Sequence, residues 1–474
     1  MLDSELCEKA RLSRDARFDG KFYTAVLTTG IFCRPICPAR PPKPENVCYY
    51  LSAEQAQAAG FRPCKRCIPE CAPSLNIPNK LQKICNEFDF NKDSVSTVAN
   101  KLNISERQLQ RVFKENYGIA PLQFFQQQRL LLASKLLKTT TLSITNTCYA
   151  SGFTSVRRFN EAIKSAYRCT PSELKKSKEP SNKANNISLE LSYHPPFDWP
   201  LMLKFFCDRQ IAGMECVNDD SYQRTVAIDN CRGWLKVTHH EHKNALILTV
   251  NLSDYRYLNN VIVRVKRMFD LNADMFLIHQ QLTQSTILEK TIARYQGLRL
   301  PGSWDLFEFS IRAILGQQVS VKAATTFAKR IAEKYGDGNV QSNPAEKLKL
   351  HFPSIAQLSI ADFEGIGLTT TRKQTLINWV SFYQTHKDAL ESCSSSNELS
   401  KLIAPIKGIG PWTINYLAMR GLSDPNAFPS ADLGVIKALT FNDKKPSNNE
   451  ILALAEQWQP WRSYATLYLW HSLH

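Results

Sequence analysis

LIAPIKGIGPWTINY, residues 402–416, places Gly408 and Gly410 one residue apart. Two glycines at this spacing permit a tight hairpin between two helices, and Pro411 suits the first turn of the second helix. Backbone N–H groups at the start of such a helix can receive a DNA phosphate. The spacing alone is a weak signal, because residues 365–367 repeat it elsewhere in the chain.

Asp432 lies 20 residues beyond Trp412 and is the second informative feature of this region. Taken alone, it is most simply the N-cap of a helix that begins near Leu433. The hairpin, the aromatic residue and the Asp together resemble the helix-hairpin-helix DNA glycosylases. Within these enzymes the resemblance is to the AlkA-type 3-methyladenine glycosylases. It extends over most of residues 187–474 and includes AILGQQVS at 313–320.

The patterning of this half predicts two parts. Residues 187–193 alternate apolar and polar, β-rich runs follow at 224–228, 233–238 and 245–252, and the pattern is helical from Asp305 almost to the end. We therefore expect an α/β subdomain with a small β-sheet at 187–297 and an all-α helix-hairpin-helix domain at 298–474.

The resemblance to AlkA-type glycosylases also implies residue roles. Asp432 becomes the catalytic carboxylate that stabilises the sugar cation as a flipped-out alkylated purine departs. The residues that present aromatic faces to the flipped base are Trp412, Tyr416 and Trp470, although core packing is an alternative for each. Trp412 stands where lyase-competent relatives have a lysine, so we expect simple hydrolysis. Gln317, Gln318 or another residue is expected to fill the gap that the flipped base leaves.

Four cysteines near the amino terminus form two short pairs, in TTGIFCRPICPAR at 28–40 and GFRPCKRC at 60–67. The four are Cys33, Cys37, Cys64 and Cys67. This spacing predicts one tetrahedral zinc ion held between two loops. A purely structural zinc is one interpretation, and Cys71 is the likeliest competing ligand.

The sequence around these cysteines closely resembles the methyl-accepting module of Ada-type alkylation-response proteins. The resemblance implies that Cys33 takes a methyl group from a DNA methylphosphotriester, because zinc keeps the thiol deprotonated and nucleophilic. Thr29, Arg34 and Arg40 flank this cysteine and are expected to hold the DNA backbone. The module is expected over residues 1–75.

A basic segment occurs twice with an offset of 50 residues, once from Ser105 to Pro121 and once from Ser155 to Pro171. Each copy predicts a helix preceded by a shorter helix and a turn, which is the helix-turn-helix pattern. The basic residues expected to contact DNA are Arg107, Arg111, Arg157 and Arg158. Residues 76–180 contain 17 basic and 8 acidic residues, a net charge of +9 out of +16 for the chain.

This duplication resembles the AraC-type transcription-factor domain, over residues 78–175, with a linker expected at 176–186. A second seam at 69–78, rich in Pro, Cys and Ser, is also interpreted as a linker. The three parts together imply a multidomain α+β protein of 474 residues: a zinc module, an all-α DNA-binding domain and a glycosylase.

The function expected from the whole chain is excision of alkylated purines combined with transcription activation. Partners would be double-stranded DNA, both alkylated and promoter, and RNA polymerase, with one Zn²⁺ and no organic cofactor. No apolar stretch is long enough to cross a membrane, so a cytoplasmic, nucleoid-associated monomer is expected. The alternative is a zinc-stapled regulator whose carboxy-terminal half is a non-catalytic DNA clamp.

Overall fold

A computed structural model describes residues 3–73, 80–86, 88–175, 186–338 and 347–473. The chain divides into two compact units: Met1–Pro195 with His240–Val263, and Pro196–His239 with Arg264–His474. The predicted linker at 176–186 lies outside the described residues except for Asn186. None of the helices in these described ranges is long and apolar enough to span a membrane.

The elements of the amino-terminal 175 residues fall into two groups. Before residue 74 they are α1 (Ser4–Ser13), β1 (Tyr23–Val26), β2 (Ile31–Cys33), β3 (Val47–Tyr50), α2 (Ala53–Ala58) and β4 (Arg62–Pro63). From residue 80 they are α3 (Lys80–Asn86), α4 (Val95–Leu102), α5 (Glu106–Tyr117), α6 (Pro121–Thr139), α7 (Ile144–Ala150), α8 (Val156–Tyr167) and α9 (Pro171–Leu174).

The remaining elements also fall into two groups. Up to residue 338 they are β5 (Ile187–Ser192), α10 (Trp199–Cys207), β6 (Glu215–Val217), β7 (Ser221–Ile228), β8 (Cys231–His240), β9 (Ala245–Leu252), α11 (Leu258–Met268), α12 (Met275–Leu282), α13 (Thr286–Arg294), α14 (Leu306–Leu315) and α15 (Val321–Tyr335). Beyond it they are α16 (Ile355–Ser359), α17 (Thr370–Ser392), α18 (Ser396–Ile403), α19 (Pro411–Tyr416), α20 (Leu433–Ala438), α21 (Asn448–Ala455) and α22 (Arg462–His471).

A small sheet, with the strand order β3-β1-β2-β4, supports the cysteine module. Strand β1 pairs antiparallel with β2 and β3, and β2 pairs parallel with the short β4. Ala25 and Phe32, opposite each other on β1 and β2, are fully buried. The sheet therefore brings the end of β2 and the end of β4 side by side; one cysteine pair begins at the last residue of β2 and the other directly after β4.

The predicted duplication is confirmed as two helix-turn-helix units, α4–α5 and α7–α8. Both second helices are 12 residues long and start 50 residues apart. Asn103 and Gly152, at the two turns, adopt left-handed backbone with φ of 57° and 81°. Ser105 caps α5 through Gln108, whereas Ser155 precedes α8 without a side-chain cap hydrogen bond.

The cysteine module packs directly on α6 of the helix-turn-helix region. Leu131 of α6 lies in one core cluster with Phe32 and Ala56. Glu70 accepts hydrogen bonds from Ser134 and Lys138, and the Glu70 and Lys138 side chains are only 1% and 5% exposed. The interpretation of 69–78 as a linker is therefore wrong at Pro69–Cys71, which forms a 3₁₀ turn against α6; residues 74–79 are outside the described ranges.

All the predicted strands of the carboxy-terminal half are present. Strand β5 pairs antiparallel with β9 and alternates buried and more exposed residues, and β6, β7 and β8 form an antiparallel meander. The helices α11–α13, at 258–294, supply the helical share of this α/β part, and their apolar residues are buried.

The helical part of the second unit surrounds one large apolar core. Ile311 and Ile314 of α14 and Trp379 and Tyr383 of α17 are fully buried in it. The hairpin predicted from the glycine pair joins α18 to α19, and α19 continues into a π-helical turn at Leu417–Gly421. Turns of this kind are frequent at functional sites.

Candidate active site and metal centre

The carboxylate of Asp432 is held by four N–H donors. Its Oδ1 accepts from the indole Nε1 of Trp470 at 2.8 Å and from the backbone N–H groups of Gly434 and Val435 at 2.9 and 3.2 Å. Its Oδ2 accepts from the indole Nε1 of Trp412 at 2.9 Å. Asp432 is thus the N-cap of α20, as its position predicts, and it also lies between two indoles.

Gly434 makes this arrangement possible, and sequence reasoning missed it. A Cβ atom at this position would lie 2.6 Å from Cδ1 and 2.9 Å from Nε1 of Trp470. Any side chain there would push the indole away from Asp432. In the sequence, this role is indicated by the position of Gly434, two residues beyond the proposed catalytic Asp432.

The three predicted aromatic residues line one pocket of about 300 Å³ together with Asp432. The rings of Trp412 and Tyr416, one turn apart on α19, stack with centroids 5.0 Å apart and planes at 15°. Trp412, Tyr416 and Trp470 are all half-buried. They therefore form a pocket wall and not a closed core, and the pocket volume accommodates a purine base.

A set of charged residues forms the remaining polar wall of this pocket, and we call it the charged wall. Its members are Arg209, Glu215, Arg224, Glu308, Arg312 and Arg420. Sequence reasoning identified none of these residues. No local sequence pattern marks them, because the fold brings them together from the turn after α10, two strands, α14 and the π-helical turn.

Within the charged wall, two arginines are paired with carboxylates. Arg224 contacts Glu308 at 2.7 Å, and Arg312 contacts Glu308 and Glu215, both at 3.1 Å. The guanidinium of Arg420 instead donates from Nη1 to the hydroxyl oxygen of Tyr416 at 2.9 Å and from Nε to the carbonyl of Pro301.

This surplus of guanidinium groups acts on Tyr416. Burial by itself would raise the pKa of the Tyr416 hydroxyl, but the charges of Arg420, Arg209 and Arg312 outweigh it. The pKa of Tyr416 consequently lies below its ordinary value. The pKa of Arg420 is also lowered, by burial first and then by the neighbouring Arg209 and Arg312.

The two glutamines offered for the base-gap role have different environments. Gln317 donates from Nε2 to the carbonyl of Gly408 and to Oγ1 of Thr413, both at 2.9 Å, so it braces the hairpin. Gln318 is exposed at the turn between α14 and α15, in left-handed backbone with φ of 55°. Gln317 is thus engaged with the hairpin, and Gln318 is the more exposed of the two.

The two hairpin glycines, Gly408 and Gly410, have different structural environments. Gly408 has φ of 92°, and a Cβ there would collide with the side chain of Thr375. Gly410 is the N-cap residue of α19, and open space surrounds its Cα. The first N–H groups of α19 lack helical acceptors, so this end can receive a phosphate.

The four predicted metal ligands converge. The Sγ atoms of Cys33, Cys37, Cys64 and Cys67 all lie within 4.8 Å of one another. Cys33 and Cys37 are half-buried, and Cys64 and Cys67 are buried. Four sulfurs at this separation fit the tetrahedral coordination of zinc. Cys71 is buried but does not belong to the group, which removes it as a competing ligand.

Hydrogen bonds support and couple these sulfurs. The backbone N–H of Arg34 donates to Sγ of Cys67, and that of Arg66 to Sγ of Cys64, both at 3.4 Å. A hydrogen bond with Cys33 lowers the pKa of Cys37 to about 7, and hydrogen bonds with Cys37 and Cys64 raise the pKa of Cys33.

Arg34 does not lie free at the surface. Its guanidinium donates to both carboxylate oxygens of Asp19 and to the carbonyl of Cys67, and its side chain is 13% exposed. Arg34 thus fastens the ligand loops to Asp19, in the segment between α1 and β1. Arg34 was expected to hold the DNA backbone, but its guanidinium is already bound within the module. Thr29 and Arg40, in contrast, are exposed.

The predicted DNA-contacting arginines of both helix-turn-helix units are exposed on their second helices. Arg107 and Arg111 lie on α5, opposite the fully buried Leu109 and Phe113. On α8, the exposed residues are Arg157 and Arg158, and the buried partners are Phe159 and Ile163. Each helix therefore presents one basic face.

Three family models match consecutive parts of the chain. The metal binding domain of Ada matches residues 6–70, a helix-turn-helix domain matches 98–177, and the AlkA N-terminal domain matches 188–305. The probable bifunctional transcriptional activator/DNA repair enzyme AlkA of Mycobacterium tuberculosis is 34% identical over 99% of this chain and 97% of that protein. The chain belongs to this AlkA-type bifunctional family.

Parts of the AlkA-type chain match shorter proteins. DNA-3-methyladenine glycosylase 2 of Escherichia coli is 30% identical, over 60% of this chain and 96% of that protein. The solved 3-methyladenine DNA-glycosylase of Archaeoglobus fulgidus covers 59% of this chain and 96% of that one, with 20% identity and a TM-score of 0.52, and so shares the fold.

Membership of the AlkA-type family assigns a metal-binding role to the four-cysteine cluster. The cluster lies within the match to the metal binding domain of Ada and offers four thiols at zinc-binding separation. The expectation of one structural zinc is confirmed, as is the multidomain α+β fold with a zinc module, a helix-turn-helix region and a glycosylase fold.

Proposed function

We propose that this AlkA-type protein is a monofunctional DNA glycosylase that hydrolyses the N-glycosidic bond of alkylated purines of the 3-methyladenine type. The observation that carries the proposal is the fixed carboxylate of Asp432 in a purine-sized aromatic pocket. The E. coli relative, named as a 3-methyladenine glycosylase, supports the same substrate class.

The reaction breaks the bond between C1′ of the sugar and a purine nitrogen. The nucleotide must first leave the stack, with Gln318 filling the gap and the N–H groups around Gly408 and Gly410 holding the backbone. Because both indole N–H groups are bound to Asp432, the faces of Trp412 and Trp470 are oriented for stacking. The electron-poor, cationic base suits such faces.

A cationic purine takes the bonding electrons and leaves as a neutral base, so the bond breaks without prior protonation. Asp432 stabilises the positive charge that develops on the sugar, and water adds to C1′ and loses a proton. A lysine at the position of Trp412 would offer an amine for a Schiff base. Its absence there supports hydrolysis without strand cleavage.

The test of this function is single-turnover release of 3-methyladenine and 7-methylguanine from methylated duplex DNA. Asp432→Asn retains an N-cap acceptor but removes the charge, and we expect it to lower the rate by about 100-fold or more. Release by wild type supports the enzyme; absence of release by wild type would support the non-catalytic DNA clamp.

We propose a second activity for the zinc module, which is stoichiometric methyl transfer from a methylphosphotriester to Cys33. The O–CH₃ bond breaks, an S–CH₃ bond forms, and the phosphate regains its negative charge. Zinc keeps the thiol deprotonated when bound. Cys33 is half-exposed and is flanked in the sequence by the exposed Thr29 and Arg40, which supports this assignment.

Mass spectrometry of the full chain after exposure to DNA with methylphosphotriesters tests the transfer. We expect one added methyl group in the peptide that contains Cys33, and none with Cys33→Ser. A methyl group on Cys37 instead would move the acceptor role to the other half-exposed ligand, and no methyl group would leave zinc purely structural.

The regulatory part of the proposal is transcription activation through the two helix-turn-helix units. Arg107, Arg111, Arg157 and Arg158 would contact DNA, as their exposure supports. Methylation of a four-thiolate zinc site reduces its negative charge and hence its repulsion from phosphates. We also propose RNA polymerase as a partner, a monomeric state and association with the nucleoid.

The domain boundaries proposed with these functions are residues 1–75 for the zinc module, 78–175 for the DNA-binding domain, and 187–297 and 298–474 for the two parts of the glycosylase. The regulatory role is tested by measuring the affinity of the full-length protein for promoter DNA with and without prior methylation of the protein.

A further inference from the structure

Tyr117 and Tyr167 occupy the same position of the duplicated segment, 50 residues apart, and each is the last residue of the second helix of its helix-turn-helix unit. Both are contacted by one short helix of the zinc module, α2. Nε2 of Gln55 donates to the carbonyl oxygen of Tyr117 at 2.6 Å. Nε2 of Gln57 donates to the hydroxyl oxygen of Tyr167 at 3.2 Å. A single helix thus joins the carboxy-terminal ends of α5 and α8.

The packing of α2 on α6 explains how it reaches both helices. Ala53 and Ala56, three residues apart on one face of α2, are buried in the core cluster that contains Leu131 of α6. Successive residues of an α-helix are about 100° apart around its axis, so Gln55 and Gln57 lie on the two flanks of this face. Because α6 connects the two helix-turn-helix units, one flank of α2 reaches the first unit and the other flank reaches the second.

Each of the two contacts involves groups that other hydrogen bonds hold in place. Oε1 of Gln55 accepts from the backbone N–H of Leu51 at 3.1 Å, which fixes the orientation of its amide. The carbonyl of Tyr117 belongs to the last turn of α5, where carbonyls lack helical donors, so Gln55 satisfies it from outside the helix. On the other flank, the hydroxyl of Tyr167 also donates to the carbonyl of Leu130 on α6 at 3.1 Å.

Helix α2 is itself fixed to the sheet of the zinc module. The backbone N–H of Phe61 donates to the carbonyl of Ala56 at 3.1 Å, which holds the chain as it leaves α2. The backbone N–H of Arg62, on β4, donates to the carbonyl of Gly30 at 2.8 Å. Helix α2 is therefore a rigid spacer between α5 and α8, and not a flexible tether.

We propose that α2 is a strut that sets the separation of α5 and α8, and that Gln55 and Gln57 are its positioning residues. When two such helices enter successive major grooves, their separation determines the spacing of the two DNA half-sites. The partner that this arrangement fits is duplex DNA with two half-sites at one fixed spacing. The inference rests on the proposed regulatory function and adds to it a role for the zinc module in selecting that spacing.

Selection of bound DNA from a pool of duplexes with a random central segment tests the proposal. Full-length wild type and Gln55→Ala/Gln57→Ala are used, each with and without prior methylation of the protein, and the recovered duplexes are sequenced. From wild type we expect two motifs at one spacing, about 10 base pairs from centre to centre. Other spacings require both hydrogen bonds of α2 to break, so we expect them to bind about tenfold more weakly.

The double variant should recover the same two motifs, because the residues of α5 and α8 that face the bases are unchanged. Its preference for one spacing should fall below about threefold, since the two hydrogen bonds that resist other spacings are gone. A loss of stability alone would weaken the binding of all spacings equally, so the spacing preference separates a positioning role from a merely structural one.

Gln281→Ala is the matched control, because Nε2 of this glutamine also donates to a backbone carbonyl, that of Gln457, but within the second unit. It should keep the spacing preference of wild type. An unchanged preference in the double variant would overturn the strut, as would a single motif or no preferred spacing with wild type. If the double variant recovers no motif, Gln55→Ala alone decides by the same criterion, because this side chain is only half-buried. No motif from wild type in either state would overturn the proposed regulatory function instead.

Discussion

The indole Nε1 of Trp470 donates a hydrogen bond to Oδ1 of Asp432 across 2.8 Å, although the two residues are 38 positions apart in the chain. This contact fixes the carboxylate from the side of α22, while Trp412 fixes it from α19. The candidate catalytic group is thus rigid before any substrate binds, which is the condition for electrostatic stabilisation without reorganisation.

Gly434→Ala tests this rigidity. The added Cβ would occupy the space of the Trp470 indole and displace it from Asp432. We expect the single-turnover rate of base release to fall by roughly 100-fold, because small displacements of a catalytic group cost about this much. Gly338→Ala is the matched control, since its Cβ would make only an ordinary contact. Wild-type activity in Gly434→Ala would contradict the importance of the Trp470 contact.

The separate roles of the two glutamines can be tested with paired alanine substitutions. Gln317→Ala removes two hydrogen bonds to the hairpin, and we expect a loss of about 1–2 kcal/mol in the free energy of unfolding. Gln318→Ala removes an exposed side chain, so stability should change by less than about 0.5 kcal/mol while base extrusion weakens. Fluorescence of 2-aminopurine opposite the gap measures extrusion, and reversed effects would exchange the two assignments.

Lys138→Met tests the packing of the zinc module on α6. The substitution leaves Glu70 buried without its cation, and breaking such a pair costs about 3 kcal/mol or more. Hydrogen exchange of the α6 amides, followed by mass spectrometry, measures the local loss of stability. Lys9→Met, which removes an exposed pair with Glu5, should change stability by less than about 0.5 kcal/mol. Unchanged protection in Lys138→Met would mean that the two parts are not held by this pair.

Asp270 predicts a pH dependence of the second unit. Burial raises its pKa to about 6, although Arg299 and hydrogen bonds from Tyr464 and Leu300 oppose the shift. Between about pH 4 and 6 the folded state therefore holds a proton that the unfolded state has released. The contribution of Asp270 to the free energy of unfolding is full below about pH 4 and is lost as the pH rises through 6.

Asp270→Asn should remove that contribution. Relative to wild type, we expect the variant to gain stability as the pH rises from 4 to 7, by up to about 3 kcal/mol. Tryptophan fluorescence during urea unfolding reports the second unit specifically, because all eight tryptophans lie between residues 199 and 470. Parallel pH profiles for the two proteins would show that the pKa of Asp270 is not raised.

The parts of the fold that were predictable are those whose residues are close in sequence. The duplicated helices follow from a 50-residue offset, the zinc cluster from two cysteine pairs, and the hairpin from Gly408 and Gly410. Each of these features is determined by local spacing, so a single sequence is sufficient to propose it.

The unpredicted features depend on tertiary contacts. Arg209 and Glu215 precede Tyr416 by about 200 residues, and nothing local distinguishes them from surface charges. The position of Arg34 beside Cys33 in the sequence suggests a DNA contact, but in the fold its guanidinium binds the carboxylate of Asp19. For Asp432, the two interpretations, N-cap and catalytic carboxylate, are compatible, because one oxygen accepts the backbone N–H groups while the other accepts from Trp412.

The catalytic role of Asp432 is tested by single-turnover base release from methylated duplex DNA by wild type, Asp432→Asn and Asp198→Asn. Asp198 is also an N-cap aspartate, for α10, but it lies outside the pocket. We expect release by wild type and Asp198→Asn, and a loss of about 100-fold or more with Asp432→Asn. Equal release by all three proteins, or none by wild type, would contradict it.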